Sequence, residues 1–246
     1  MRDQSNSRMS ESHNNDRRAA SAPSIVVFDV NETLIDIESM GGLFEKIFGD
    51  RRVLREWFNQ LILYSNATTL AGYYETFFRL GLGIFEMLAT TYGLSLTRAD
   101  REELRTGMLS MPAHEDAEEG LQPLKEAGFR LATLTNSPPD ETGSPLDRAG
   151  LAHFFEGQFS VDHIRKFKPA PEVYHFVAER LNVLPSAICL VAAHTWDTLG
   201  AQAIGCSAGL VMRPGNAPLP IDGLPQPQVV APDLASLARR MIAMWR

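Results

Sequence analysis

The chain has 246 residues, of which 44% are hydrophobic and 22% charged, with a formal net charge of −7. That length allows one large domain or a core with a smaller inserted one, and the acidic balance, lacking any basic stripe, argues against a nucleic-acid-binding surface. No run approaches the ~18 uninterrupted apolar residues of a membrane-spanning helix, so no membrane partner is expected.

Residues 1–23 mix Ser, Asn, Arg, Asp and Glu with almost no large hydrophobics. They read as a disordered tail and lack the apolar middle of a secretory signal. Ile25–Phe28 is a short, β-branched apolar run, as in a strand buried on both faces, and it ends at Asp29. A carboxylate at that strand end is either a helix-capping Asp or a nucleophile.

Residues 38–110 read as helices. Leu43, Phe44, Ile47 and Phe48 form one apolar face, and Val53, Leu54, Trp57, Phe58, Leu61 and Ile62 form another. A third helix is expected over Tyr73–Leu88, with a break at Gly81 and Gly83. Thr97-Arg-Ala-Asp100 is a capping box that opens a fourth, which ends at Met111-Pro112.

From there strands and helices alternate. The pattern predicts a helix over Glu115–Ala127, a strand over Phe129–Leu134 and a helix over Glu141–Ala149. A short strand near Phe159–Val161 leads into a basic loop, Arg165–Pro169, and Pro171 opens the next helix. A strand at Ala187–Ala192, a helix at Trp196–Ile204, a strand at Ala208–Met212, a Pro-rich loop and a helix at Leu234–Met244 complete the chain. The fold class is therefore α/β: a parallel sheet covered by helices on both faces, with an inserted all-helical segment. The expected core is 24–37 plus 111–246, and 38–110 is the insertion, of a kind that commonly caps a site. Cys189 and Cys206 lie in apolar surroundings and read as buried free thiols, consistent with a reducing, cytoplasmic setting.

Parallel strands bring their carboxyl ends to one edge, where ligands bind in open α/β sheets. Four polar clusters should converge there: Asp29 with Asn31 and Thr33, Thr135-Asn136, Lys168-Pro169, and His194 with Asp197. Taken singly, each has an ordinary explanation as a turn, a solvated lysine or a helix-terminal acid. Their joint order is the informative feature.

In that order the clusters resemble the four motifs of the haloacid dehalogenase-like hydrolase superfamily, from about residue 24 to the C-terminus, with 38–110 in the place of its helical cap. The resemblance implies a Rossmann-like core. Most members are magnesium-dependent phosphatases with a second Asp two residues after the nucleophile and a further acid near Ala193. Here those positions hold Asn31 and Ala193 itself. Losing carboxylates weakens a divalent-cation site, and a halide leaves carbon as a stable anion without an acid. The pattern is thus most similar to the type II (S)-2-haloacid dehalogenases, and neither metal nor cofactor is expected.

The resemblance implies Asp29 as nucleophile, forming an ester that water hydrolyses to a 2-hydroxy acid of inverted configuration. It implies that Lys168 keeps Asp29 ionised, that Thr33 supports its loop, and that Asp197 positions or activates the water. Asn31, Thr135, Asn136, Tyr174, His194 and Trp57 become substrate-site candidates. Trp57 occupies the place of the family's halide-cradling arginine, and Arg55, two residues earlier, is on a different helix face. The partners implied are a small halogenated carboxylate, water and a second copy of the chain in a homodimer. The alternatives are a magnesium-dependent, phosphatase-like hydrolase of the same superfamily, or a catalytically silent member that binds a small anion.

Overall fold

The computed structural model describes residues 22–139 and 144–246. All of the expected tail except Ala22 and Pro23 lies outside the described residues. So do residue 140 and residues 141–143 of the helix expected over Glu141–Ala149, and of its remainder Pro145–Arg148 is helical.

Six strands form one parallel sheet: β1 (Ile25–Phe28), β2 (Arg130–Thr135), β3 (Gly157–Ser160), β4 (Ile188–Ala192), β5 (Ser207–Val211) and β6 (Val229–Ala231). Their spatial order is β3-β2-β1-β4-β5-β6. β1 is central, with Ile25 in register with Arg130 of β2 on one side and Ile188 of β4 on the other. Strands on both edges and helices on both faces leave β1 no solvated side, which is why four apolar residues follow one another without alternation. The chain winds outward from β1 through β2 and β3, then returns to β4 on the opposite side. That reversal creates a crevice at the carboxyl ends of β1 and β4.

Four helices are inserted between β1 and β2: α1 (Gly41–Phe48), α2 (Val53–Leu70), α3 (Phe77–Thr91) and α4 (Arg98–Ser110). Their shared interior is aromatic. Phe44 lies 5.5 Å from Trp57 and 5.6 Å from Phe85, ring centre to ring centre. The Thr97–Asp100 capping box opens α4 as the spacing predicts. The third helix differs from expectation. It begins at Phe77, where the Thr76 hydroxyl accepts from Arg79 N, and it runs unbroken through Gly81 and Gly83. Gly81 serves a close approach rather than a break. A Cβ there would sit 3.1 Å from the Trp57 ring, whose Nε1 donates to Gly81 O at 2.8 Å.

After the insertion come α5 (Ala117–Glu126), α6 (Pro145–Arg148), α7 (Pro171–Leu181), α8 (Thr195–Ala203) and α9 (Leu234–Trp245). β6 lies within the stretch read as a Pro-rich loop. The three residues Val229–Ala231, set between Pro227 and Pro232, are too few to carry a periodic signal, and pairing with β5 alone makes them a strand. No described helix is long and apolar enough to cross a membrane.

Candidate active site

Asp29 is the first residue past β1, and its N–H still donates to Val191 O at 2.9 Å, extending the ladder by one step. The next residues fold into a tight turn in which Leu34 and Ile35 N–H donate to Val30 O. Thr33, four residues on, donates its hydroxyl to Asp29 Oδ2 at 2.7 Å and accepts from Ala193 N at 2.8 Å. The turn after β1 and the end of β4 are thereby locked to one carboxylate oxygen.

The other oxygen faces Lys168. Its Nζ lies 2.7 Å from Asp29 Oδ1, 2.6 Å from Asp197 Oδ2 and 3.1 Å from Leu134 O. An ammonium with three donors meets three acceptors, so a charge with no solvent exposure is fully satisfied. Asn136 accepts from Lys168 N at 3.1 Å and holds the backbone of that loop, while Tyr174 of α7 donates to Asp197 Oδ1 at 2.6 Å. Both carboxylate oxygens of Asp197 are therefore engaged, and the residue is fully buried.

Burial pushes the Asp29 carboxyl up, but the Lys168 ammonium more than offsets it and holds the group well below the usual carboxylate range. Burial alone would lower Lys168; the two carboxylates outweigh it and raise the ammonium above 10.5. Asp197 is raised, chiefly by burial, with Lys168 opposing and the like charge of Asp29 adding to the rise. The site thus holds an ionised Asp29 pinned by one shared cation.

A cavity of about 310 Å³ is lined by Val30, Asn31, Thr135, Ser137, Pro138 and Phe159 among others. Asn31 Nδ2 donates to Ser137 Oγ at 3.0 Å, and Ser137 N donates to Thr135 Oγ1 at 3.1 Å, so three polar groups share one wall. Asp29, 5% exposed, is not among the lining residues, although its chain neighbours Val30 and Asn31 are.

A second polar network meets Asp29 from the other side. His194, in the turn after β4, bonds Glu32 Oε2 through Nε2 at 2.6 Å, and its Nδ1 lies 3.9 Å from Asp29 Oδ2. Glu32 has a left-handed backbone (φ 68) that turns its side chain towards both His194 and Arg55 of α2. Arg55 also pairs with Glu38 at 2.6 Å and donates to Pro214 O at 2.9 Å. The imidazole stacks between Phe58 and Trp196, at 5.5 and 5.0 Å.

The structure thus gathers Asp29, Thr33, Asn136, Lys168, Tyr174, His194 and Asp197 into one connected cluster, with Asn31 and Thr135 on the adjoining cavity wall. Trp57 does not join them. It is 2% exposed within the helical insertion, and its neighbour Phe58 is the α2 side chain that reaches His194. Sequence reasoning also passed over Glu32, Ser137 and Trp196. Trp196 is adjacent to Asp197 and could have been flagged; Glu32 could not, because its role depends on a backbone turn that no periodicity reveals.

Residues 23–205 match the family described as haloacid dehalogenase-like hydrolase. The chain is 32% identical to (S)-2-haloacid dehalogenase 1 of Pseudomonas sp. (strain CBS-3) over 196 residues, covering 76% of this chain and 83% of that protein. It is 29% identical to (S)-2-haloacid dehalogenase 4A of Burkholderia cepacia, over 78% of this chain and 84% of the relative. Among solved structures, the L-2-haloacid dehalogenase of Xanthobacter autotrophicus with chloropropionic acid covalently bound superimposes with a TM-score of 0.80. That pair is 26% identical, and the match covers 90% of this chain and 99% of the other.

Proposed function

The chain belongs to the haloacid dehalogenase-like hydrolase family, and from that membership we propose that it hydrolyses small 2-haloalkanoic acids to 2-hydroxy acids through an ester on Asp29. In the first step an Asp29 carboxylate oxygen attacks the carbon bearing the halogen, and the halide departs with the bonding electrons. Back-side attack inverts that carbon. Lys168 supplies what the nucleophile needs: it keeps Asp29 ionised and fixes its direction. The leaving group needs no acid, which is consistent with Asn31 standing two residues on. In the second step water adds to the carbonyl carbon of the ester. Whichever Asp29 oxygen carries the ester, the other keeps a donor that stabilises the charge developing on it, the Lys168 ammonium on Oδ1 or the Thr33 hydroxyl on Oδ2.

Asn31, Thr135 and Ser137 line the cavity wall and are assigned to the substrate's carboxylate. Residues 38–110 act as the cap that closes over them, and 24–37 with 111–246 form the catalytic core. Asp197, with its oxygens committed to Lys168 and Tyr174, positions the lysine. Arg55 is committed to Glu32 and Glu38, so it is no replacement for the halide-cradling arginine; Phe58 and Trp196 offer an aromatic face instead. A homodimer belongs to this reading, and sedimentation should give about twice the 27.3 kDa chain mass.

The magnesium-dependent rival fits poorly. Lys168 Nζ occupies the space between the Asp29 and Asp197 carboxylates, at 2.7 and 2.6 Å, so those acids do not offer a cation an open pair of hard oxygens. That bridging ammonium is the observation that carries the proposal, because it serves an ionised nucleophile rather than a metal. The test is free halide from chloroacetate and 2-chloropropionate without added metal. Release supports the reading. Folded protein that releases none across chloro-, bromo- and fluoro-acids, yet turns over a phosphate ester with magnesium, contradicts it.

A further inference from the structure

Resting on that ester reading, we infer that His194, oriented by Glu32, is the general base that activates the hydrolytic water. The reason begins with Asp197. A base must present a free lone pair to water, and both Asp197 oxygens are engaged in a fully buried setting. His194 offers what Asp197 lacks. Its Nδ1 is buried and has no hydrogen-bond partner among the described residues. At 3.9 Å from Asp29 Oδ2 it is too far for a direct hydrogen bond, and that leaves its lone pair for a water approaching the ester carbonyl.

Glu32 sets the tautomer. A carboxylate accepts hydrogen bonds only, so in the neutral ring the 2.6 Å contact places the proton on Nε2, which leaves the lone pair on Nδ1. Arg55 balances the charge of Glu32, and the ring is clamped between Phe58 and Trp196. Glu32 touches no reacting atom and is a positioning residue. It occupies a left-handed backbone position (φ 68), a conformation that persists where the surroundings impose it.

Water oxygen bonds to Asp29 Cγ as one of its protons passes to His194 Nδ1, forming an imidazolium beside Glu32. The intermediate collapses by breaking the bond from Cγ to the ester oxygen, and the departing alkoxide takes the proton back from Nδ1 as the 2-hydroxy acid. The remaining hydroxyl proton on Asp29 goes to solvent, restoring the carboxylate held by Lys168.

The test mixes the full chain and two variants, His194→Asn and Glu32→Gln, with bromoacetate, following bromide release and the mass of the Asp29 peptide. His194→Asn should release one bromide per chain and then stall with a carboxymethyl adduct on Asp29. Its ester decay should be slower by about 10²–10⁴-fold, the usual range for general-base catalysis. Glu32→Gln should slow decay in the same direction while leaving the bromide burst intact, a split that a merely structural role would not produce. In either variant the burst itself reports a folded site. His194→Asn turning over like wild type without adduct, or folding without any burst, overturns the inference and leaves the Asp29 reading standing. If His194→Asn does not fold, undiminished ester decay in Glu32→Gln overturns it. Wild-type bromide release in heavy-oxygen water that leaves the Asp29 carboxylate unlabelled overturns the reading beneath both.

Discussion

Lys168 is the residue on which the site's electrostatics turn. A cation with no solvent exposure is tolerable because three acceptors surround it, and the two acids are tolerable together because they share it. Replacing Lys168 with Met would leave two like charges buried and unpaired. We expect a stability loss of about 3–5 kcal/mol by urea denaturation and loss of halide release, with proton uptake by the acids softening the first effect. The pH dependence of the ester-forming step follows from Asp29, whose carboxyl is held below its ordinary 3.8. A depressed group stays ionised until the pH falls through its lowered value, so rapid-quench bromide bursts should be flat from about pH 8 to about pH 5. A decline across that window would show that Asp29 is not held ionised. At this scale the convergence of Asp29, Lys168 and Asp197 was legible, because each stands beside the end of a recognisable strand or helix. His194 was visible only as a candidate. The free lone pair that gives it a role comes from Glu32, whose orientation needs a left-handed backbone that sequence pattern does not encode.

Elements converge on this cluster through close approaches. Helix α8 lies against the Lys168-Pro169 turn and α7 at Gly200, where a Cβ would come within 2.6 Å of both Pro169 Cβ and Tyr174 OH. Gly200→Ala should therefore displace Tyr174 from Asp197, lowering halide release and destabilising the fold by about 1–3 kcal/mol; an unchanged thermal midpoint and rate would contradict this. A second junction is Asp116, at the start of α5. It accepts two hydrogen bonds from Arg213 at 2.8 and 2.9 Å and one from Leu234 N at the start of α9, while Arg213 also donates to Thr33 O at 2.9 Å. Burial raises its carboxyl, but those donors outweigh it and lower it below 3.8. The stability it contributes is present above that value and lost as the pH falls through the folded one. Asp116→Asn should thus cost about 1–3 kcal/mol near neutrality, with the deficit shrinking in acid denaturation series. Helix starts with capping side chains, such as Thr97, were readable in advance. Gly81 was misread because a glycine that breaks a helix and one that admits a neighbouring tryptophan look alike until both helices are placed. β6 was missed because its strand character resides in its partner β5.

The whole molecule is a parallel sheet whose order reverses beside β1, with a helical insertion standing over the reversal. Alternation of strand and helix was enough to foresee the sheet, its carboxyl-edge crevice and the insertion, since all three follow from hydrophobic period and chain order. What stayed illegible is what the insertion places over the site: Phe58 rather than Trp57 against His194, and Arg55 bound to Glu32. Those contacts depend on the rotation of α2 over the sheet, which local sequence does not fix. The account's central claim is that Asp29 is esterified and regenerated by water attack on its own carboxyl carbon. Multiple turnovers of 2-chloropropionate in heavy-oxygen water, followed by mass analysis of the Asp29 peptide, test it most directly. The account predicts heavy oxygen in the Asp29 carboxylate. Sustained chloride release with an unlabelled Asp29 would contradict it, since water would then have attacked the substrate carbon itself.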